Sequence, residues 1–225
     1  MGGRGGASHR ASGGGFFGRD PNLNGYYIPQ NLQEAIDRHL ALGSFSQAAW
    51  NMLTDAERNG IFSYTGSYYA AMNDVLFGKR AASPHVQSLI DYATRGMDKM
   101  SASFDFVATR GDSIRDMASL LGGTVNQLSN PAFLRGRIGK TVEFKGFMSS
   151  GVHEGAAWTH KGVTTIIKTP KGTNGMYVDP VSANRGEFEF LFQRGTRLKV
   201  HKITTDSNGQ LKTIVLEAIP TKKKR

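Results

Sequence analysis

Residues 103–121, SFDFVATRGDSIRDMASLL, mark the point at which the texture of the chain changes. SFDFVAT (103–109) alternates like a half-buried strand, whereas IRDMASLL (114–121) has the apolar spacing of a short helix and is stopped by Gly122 and Gly123. On the N-terminal side the pattern is helical. Leu32, Ile36 and Leu40 recur at helix spacing, and Ala48, Trp50 and Leu53 follow after a break at Gly43 and Ser44. SYYAAMNDVL (67–76) and SPHVQSLIDYATRGMDKM (83–100) read as further helices, the second with Ser83 as cap and Pro84 at the first helical position. On the C-terminal side the runs are β-rich: TVEFKGFMSS (141–150), VTTIIK (163–168), GMYV (175–178), EFEFLF (187–192), RLKVHKI (197–203) and TIVLEAI (213–219). Turn chemistry at Lys171-Gly172, Asn184-Arg185-Gly186 and Asn208-Gly209 separates them. Helices that precede strands, rather than alternate with them, predict an α+β fold and not a doubly wound sheet.

At 225 residues with 39% hydrophobic content the chain can bury a sizeable core, which excludes a wholly disordered protein. No window holds ~18 uninterrupted apolar residues, and the first thirty residues carry glycine, serine and arginine where a secretory signal needs an apolar run. A soluble protein without a signal peptide is expected, with no membrane partner. Glycine fills seven of the first fifteen positions, so residues 1–30 read as a flexible Gly/Arg-rich arm, residues 31–220 as one folded domain and residues 221–225 as a basic tail. The absence of cysteine removes disulfide frameworks, thiolate zinc sites and cysteine nucleophiles together. His153 and His160 stand seven apart with no third ligand in register, and no metal site is expected.

The formal charge of +10 is unevenly spread. Residues 31–130 hold 8 basic and 10 acidic side chains, whereas residues 131–220 hold 13 and 7. The basic C-terminal half and tails fit either a polyanionic partner such as nucleic acid or simply a solvated surface.

Three short pieces carry chemistry: TRG at Thr109–Gly111, FMSS at Phe147–Ser150 and GEFEF at Gly186–Phe190. Residues two apart in a strand share a face, so Glu187 and Glu189 are expected side by side, with Phe188 and Phe190 anchored on the opposite face. Taken singly, each piece also has a plain structural reading. The glutamates suit a solvated strand face, Arg110 a surface ion pair, and Ser149 a strand-end serine bonded to backbone.

Their order is more specific. An arginine after a strand, an aromatic-x-Ser-Ser strand about forty residues on, and a Glu-x-Glu strand after a similar interval resemble the R, S-T-S and E-x-E signature of the mono-ADP-ribosyltransferases. The likeness is to the branch that holds the enzymatic components of actin-modifying binary toxins and phage-encoded relatives. It extends to YTGSYYAAMNDVL (64–76) and to KTPKGTNGMYVDPVSANRGEFEFLFQRGTRLKVHKI (168–203), and covers roughly residues 45–205. The third position of the serine motif is Gly151, where the family has a hydroxyl residue.

The resemblance implies a helical N-terminal layer packed on two antiparallel β-sheets whose cleft holds NAD⁺, and transfer of ADP-ribose from NAD⁺ to a macromolecular acceptor. Arg110, with Gly111, would meet the pyrophosphate, which a guanidinium grips in a fork. Glu189 would stabilise the oxocarbenium-like centre that develops as nicotinamide leaves. Ser149 would orient Glu189, and Ser150 and Trp158 would line the NAD site, although Trp158 suits a core position equally well. Glu187 is the position that the resemblance ties to acceptor choice, glutamate there accompanying arginine-modifying members; Asp179–Gly186 would form the acceptor-recognition turn. A protein arginine is therefore the expected acceptor. Nucleic acid as acceptor, or a nucleic-acid-binding or virion structural protein with a degenerate transferase fold, are the rival readings. Host cytoplasm, a virion or delivery by a partner all suit such a protein. No Gly-x-Gly-x-x-Gly follows a strand and opens a helix, so a Rossmann site is not supported.

Overall fold

The computed structural model describes residues 23, 25–43, 45, 47–156 and 159–221. Five helices precede the first strand: α1 (Leu32–Ala41), α2 (Gln47–Asn51), α3 (Asp55–Ser63), α4 (Tyr69–Leu76) and α5 (Pro84–Asp98). β1 (Phe106–Asp112) is followed by α6 (Ile114–Leu120) and α7 (Pro131–Arg137). Seven further strands complete the chain: β2 (Thr141–Phe144), β3 (Met148–Gly151), β4 (Val163–Thr169), β5 (Gly175–Tyr177), β6 (Glu189–Phe192), β7 (Thr196–Thr205) and β8 (Leu211–Ala218).

The helix starts follow local chemistry. Ser83 caps α5 by accepting from the Val86 amide, with Pro84 in the first turn. Thr54 and Glu57 form a reciprocal capping box on α3, a helix that hydrophobic spacing does not predict. α3 and α5 pack closely because position 60 lacks a side chain: a Cβ on Gly60 would lie 2.5 Å from the Ala93 nitrogen. α5 turns Val86, Leu89, Ile90, Ala93 and Met97 into the core, the i, i+3, i+4, i+7 stripe of an amphipathic helix. α6 ends as expected at Gly122, whose φ of 65° takes the left-handed position of a helix stop.

The class is α+β, but the strands form one eight-stranded sheet in the order β2-β7-β8-β4-β1-β3-β6-β5 rather than two antiparallel sheets. The pairing is also mixed, since β4 and β8 run parallel. Between β4 and β8 the chain passes through β5, β6 and β7, and the antiparallel β7–β8 pair then sets β8 beside β4 in the same direction, which strand periodicity cannot disclose. A single residue pair, Thr109 opposite Gly151, joins β1 to β3. The two halves of the sheet diverge from that point, and the cleft described below opens there.

TVEFKGFMSS divides into β2 and β3, which do not pair with each other: β2 joins β7 and β3 joins β6. The boundary of the predicted arm also shifts. Leu23 is 1% exposed against Val107, Ile166 and Val215, Tyr27 bridges to Phe106, and the Tyr26 hydroxyl donates to Glu217 at 3.1 Å. Leu23, Tyr26 and Ile28 have enough apolar surface to cover the sheet, so these residues belong to the folded body. The rest of the predicted arm, residues 1–22 and 24, and the end of the tail lie outside the described residues. Among the described residues no helix is long and apolar enough to cross a membrane.

Candidate active site

The cleft, of about 790 Å³, is lined by Tyr64 and Asn73 and by Arg110, Gly111, Ser149, Ser150, Glu187 and Glu189 among others, so six of the residues singled out in the sequence converge on one cavity. That volume falls in the range of ~300–1,000 Å³ usual for small-molecule sites.

Arg110 lies on β1 beyond the point where β1 and β3 part, and its side chain spans the gap. Nε donates to both carboxylate oxygens of Asp112 at 2.9 and 3.0 Å, Nη2 lies 2.7 Å from Asp112 Oδ1, and Nη1 donates to the Ser149 carbonyl at 3.0 Å. Asp112 is fixed in turn by the Thr165 hydroxyl at 2.6 Å. Burial opposes the guanidinium charge, but the Asp112 carboxylate outweighs it and raises the pKa further. The Nε edge is thereby taken up inside the protein. One N–H on each terminal nitrogen is left for a ligand, so the arginine is both a strut across the cleft and a donor into it.

Glu189 opens β6 and is 4% exposed. Its pKa is raised to about 7, chiefly by burial; the hydrogen bond from the Ser149 side chain and the charge of Arg110 lower it, while Glu187 and Asp179 raise it. Gly151 is paired with Glu189 on one side and Thr109 on the other, so the position where the family has a hydroxyl residue is the seam of three strands. Ser150 touches the cleft, but its hydroxyl is 2.8 Å from the Phe190 carbonyl, a bond that fastens β3 to β6. Gly111 lines the cleft, and Trp158 lies outside the described residues.

Glu187 departs from the expected geometry. It is exposed on a turn rather than on the strand with Glu189, because Phe188 between them has φ 53° and breaks the two-residue alternation. A left-handed backbone at a bulky residue costs on the order of 1 kcal/mol. Phe188 still packs on the core, now from a turn, and Glu187 reaches the cleft mouth. Partial loss of water at the cleft first and then the charge of Asp179 raise the Glu187 pKa.

The helical side of the cleft is formed by YTGSYYAAMNDVL (64–76), a segment to which the sequence alone assigns no role. A π-helical turn, Tyr64–Tyr68, precedes α4 there and contains Gly66 at a non-helical φ −104°, ψ −124°. Asn73 clasps the Phe147 peptide from both sides, accepting from its N–H at 3.0 Å and donating to its carbonyl at 3.0 Å. The buried Tyr64 hydroxyl donates to the same carbonyl at 2.9 Å. These bonds fix the start of β3 and hence Ser149. The signal was present in Asn73, which with Asp74 interrupts the apolar residues of the AAMNDVL run.

An ADP-ribosyltransferase exoenzyme family model matches residues 42–223. The mono-ADP-ribosyltransferase C3 of Clostridium botulinum D phage is 25% identical over 199 residues, covering 81% of this chain and 76% of the relative. The NAD(+)–protein-arginine ADP-ribosyltransferase Tre1 of Pseudomonas putida is 26% identical over 170 residues, covering 75% of this chain and 30% of Tre1. The NAD(+)–arginine ADP-ribosyltransferase EFV of Enterococcus faecalis is 24% identical over 153 residues, covering 63% and 28%. The chain thus spans less than a third of the length of Tre1 and of EFV. In fold it is similar to the Clostridium limosum C3 exoenzyme, with a TM-score of 0.71 at 19% identity over 88% of this chain and 100% of that one. C3stau2 of S. aureus, solved with NAD, gives 0.69 at 19% identity over 87% and 99%. The match over residues 42–223 takes in the whole cleft from Tyr64 to Glu189, and the chain belongs to the ADP-ribosyltransferase exoenzyme family.

Proposed function

We propose that the protein transfers ADP-ribose from NAD⁺ to an arginine of a protein acceptor and releases nicotinamide. The observation that carries this reading is the placement of Glu189, buried against Ser149 and close to Arg110, on the wall of a cleft whose mouth also holds Glu187. The two remaining guanidinium N–H groups of Arg110 suit the pyrophosphate of NAD⁺. Ser149 holds the Glu189 carboxylate beside the ribose. As the bond between C1′ and nicotinamide breaks, its electron pair leaves with nicotinamide, and the carboxylate stabilises the positive charge that grows on the ribose. An arginine nitrogen then bonds to C1′ and gives its proton to Glu187, whose raised pKa suits it to the task. Water in place of arginine gives hydrolysis.

The arginine assignment is supported by the glutamate at position 187 and by the relatives Tre1 and EFV, which are named as arginine ADP-ribosyltransferases. The test is incubation of the protein with labelled NAD⁺ and whole-cell lysate, with and without nuclease, followed by mass spectrometry of labelled peptides. Label on arginine, resistant to nuclease and lost in Glu187→Gln while nicotinamide release persists, is the expected result. Label residing wholly in nucleic acid would overturn the arginine assignment, and no nicotinamide release at all would overturn the transferase reading.

A further inference from the structure

Glu189 sits in a ladder, paired with Gly151 and with its carbonyl accepting from the Val178 amide at 2.9 Å. Glu187 has no strand to hold it. It lies between two residues in the left-handed region, Gly186 at φ 91° and Phe188 at φ 53°. A sparsely populated conformation at a phenylalanine persists where surrounding bonds over-determine it, and the bonds here converge on one atom. Asp179 Oδ1 accepts from the Gly186 amide at 2.9 Å and from the Phe188 amide at 2.8 Å, the two amides that flank Glu187. The Phe188 carbonyl is taken by the Val152 amide at 3.1 Å.

The far side of the loop is tied to the helical layer. The Ala183 amide donates to Thr65 Oγ1 at 3.0 Å, and Asn184 Nδ2 donates to the Thr65 carbonyl at 2.8 Å. The fit is close, since a Cβ on Gly66 would lie 3.3 Å from the Ala183 Cβ. The loop is therefore anchored at residues 183–184 by the turn before α4 and at residues 186 and 188 by Asp179. Glu187 projects from the second anchor.

We propose, building on the transferase reading, that Asp179 is a positioning residue that holds Glu187 at the cleft mouth and so directs ADP-ribose to the acceptor rather than to water. The asymmetry between the two glutamates makes this specific. Loss of the Asp179 carboxylate frees the turn that presents Glu187, whereas the ladder still holds Glu189. Transfer and hydrolysis should then separate.

Two variants test it. Asp179→Ala removes the acceptor for both amides, whereas Asp179→Asn keeps a carbonyl oxygen that can accept both. With labelled NAD⁺, nicotinamide release without acceptor and label transfer to lysate protein are measured for each. In Asp179→Ala the transfer is expected to fall ~10²-fold, the penalty of a misplaced acceptor group, while nicotinamide release falls far less. Asp179→Asn should restore most of the transfer. A transfer-to-hydrolysis ratio in Asp179→Ala equal to that of the unsubstituted protein would overturn the proposal, as would an Asp179→Asn variant no better than Asp179→Ala. Amide hydrogen exchange supplies a readout independent of turnover. The Gly186 and Phe188 amides should exchange faster in Asp179→Ala alone, and unchanged exchange there would overturn the proposal even if the protein released no nicotinamide and the transferase reading itself fell.

Discussion

His39 and Glu189 are both ionisable side chains removed from water, and burial is the leading cause of the pKa shift in each. His39, on α1, is 1% exposed among Phe104, Phe106, Tyr177 and Phe190, and neither ring nitrogen has a hydrogen-bond partner among the described residues. Burial pushes its pKa down to about 3. Glu189 has a donor in Ser149, a guanidinium nearby and a cavity in front of it, and its pKa is raised to about 7. The first group is silent and neutral throughout the physiological range. The second is balanced between its two forms where it can act. Burial alone therefore does not mark a site; convergence of partners on a cavity does.

The largest effect expected from this contrast is on turnover. Glu189→Gln should lower nicotinamide release by ~10²-fold or more, because it keeps size and hydrogen bonding but removes the charge that the proposed mechanism sets beside the ribose. His39→Leu should leave release within a few-fold of the unsubstituted protein. Comparable losses in both would erase the distinction between the two regions.

The two groups should also shape stability in opposite directions. The folded pKa of His39 lies below its unfolded value of 6.5, so its contribution is present above pH 6.5 and is lost as pH falls toward 3. At pH 5 that loss amounts to about 2 kcal/mol at ~1.4 kcal/mol per pH unit. The folded pKa of Glu189 lies above the unfolded 4.5, so its contribution is present below pH 4.5 and is lost as pH rises through about 7, a change of about 3 kcal/mol. Thermal melts should therefore show His39→Leu gaining on the parent from pH 8 to pH 5, and Glu189→Gln gaining from pH 4 to pH 8. Parallel curves for either variant would contradict the corresponding shift.

A smaller effect is expected at Arg110. Arg110→Lys keeps a charge near Asp112 but cannot both span to the Ser149 carbonyl and fork onto phosphate, so NAD⁺ affinity should weaken ~10-fold or more. Equal dissociation constants by calorimetry would confine Arg110 to its strut role. The smallest effect concerns Glu187. The proposed mechanism uses the carboxylate form of Glu189, so kcat/KM for NAD⁺ hydrolysis should rise with pH through about 7. Glu187→Gln removes one of the charges that raise this pKa, and the acid limb should move to lower pH; an upward move would show that the coupling has the wrong sign.

Much of this was legible from residues alone. Ser83-Pro84 starts a helix, Gly122 stops one and Asn208-Gly209 turns a hairpin between β7 and β8, because these depend on the local preferences of single residues for caps and left-handed backbone. The order of Arg110, Ser149, Glu187 and Glu189 along the chain likewise singled out four side chains that the fold brings to one cavity. The chain could not announce that β2 and β3 take different partners, that β4 and β8 run parallel, or that one residue pair joins β1 to β3. Those pairings depend on contacts between residues distant in sequence, whose register no local pattern records. The same limit explains Glu187. Two-residue alternation placed it beside Glu189 on a strand, and the carboxylate of Asp179, eight positions earlier, instead bends the chain at Phe188 and carries Glu187 onto a turn. Sequence determined which ionisable side chains are available to the cleft; tertiary structure decided that Glu189 is buried there and Glu187 exposed, because burial and charge coupling belong to the assembled cleft and not to any segment of it.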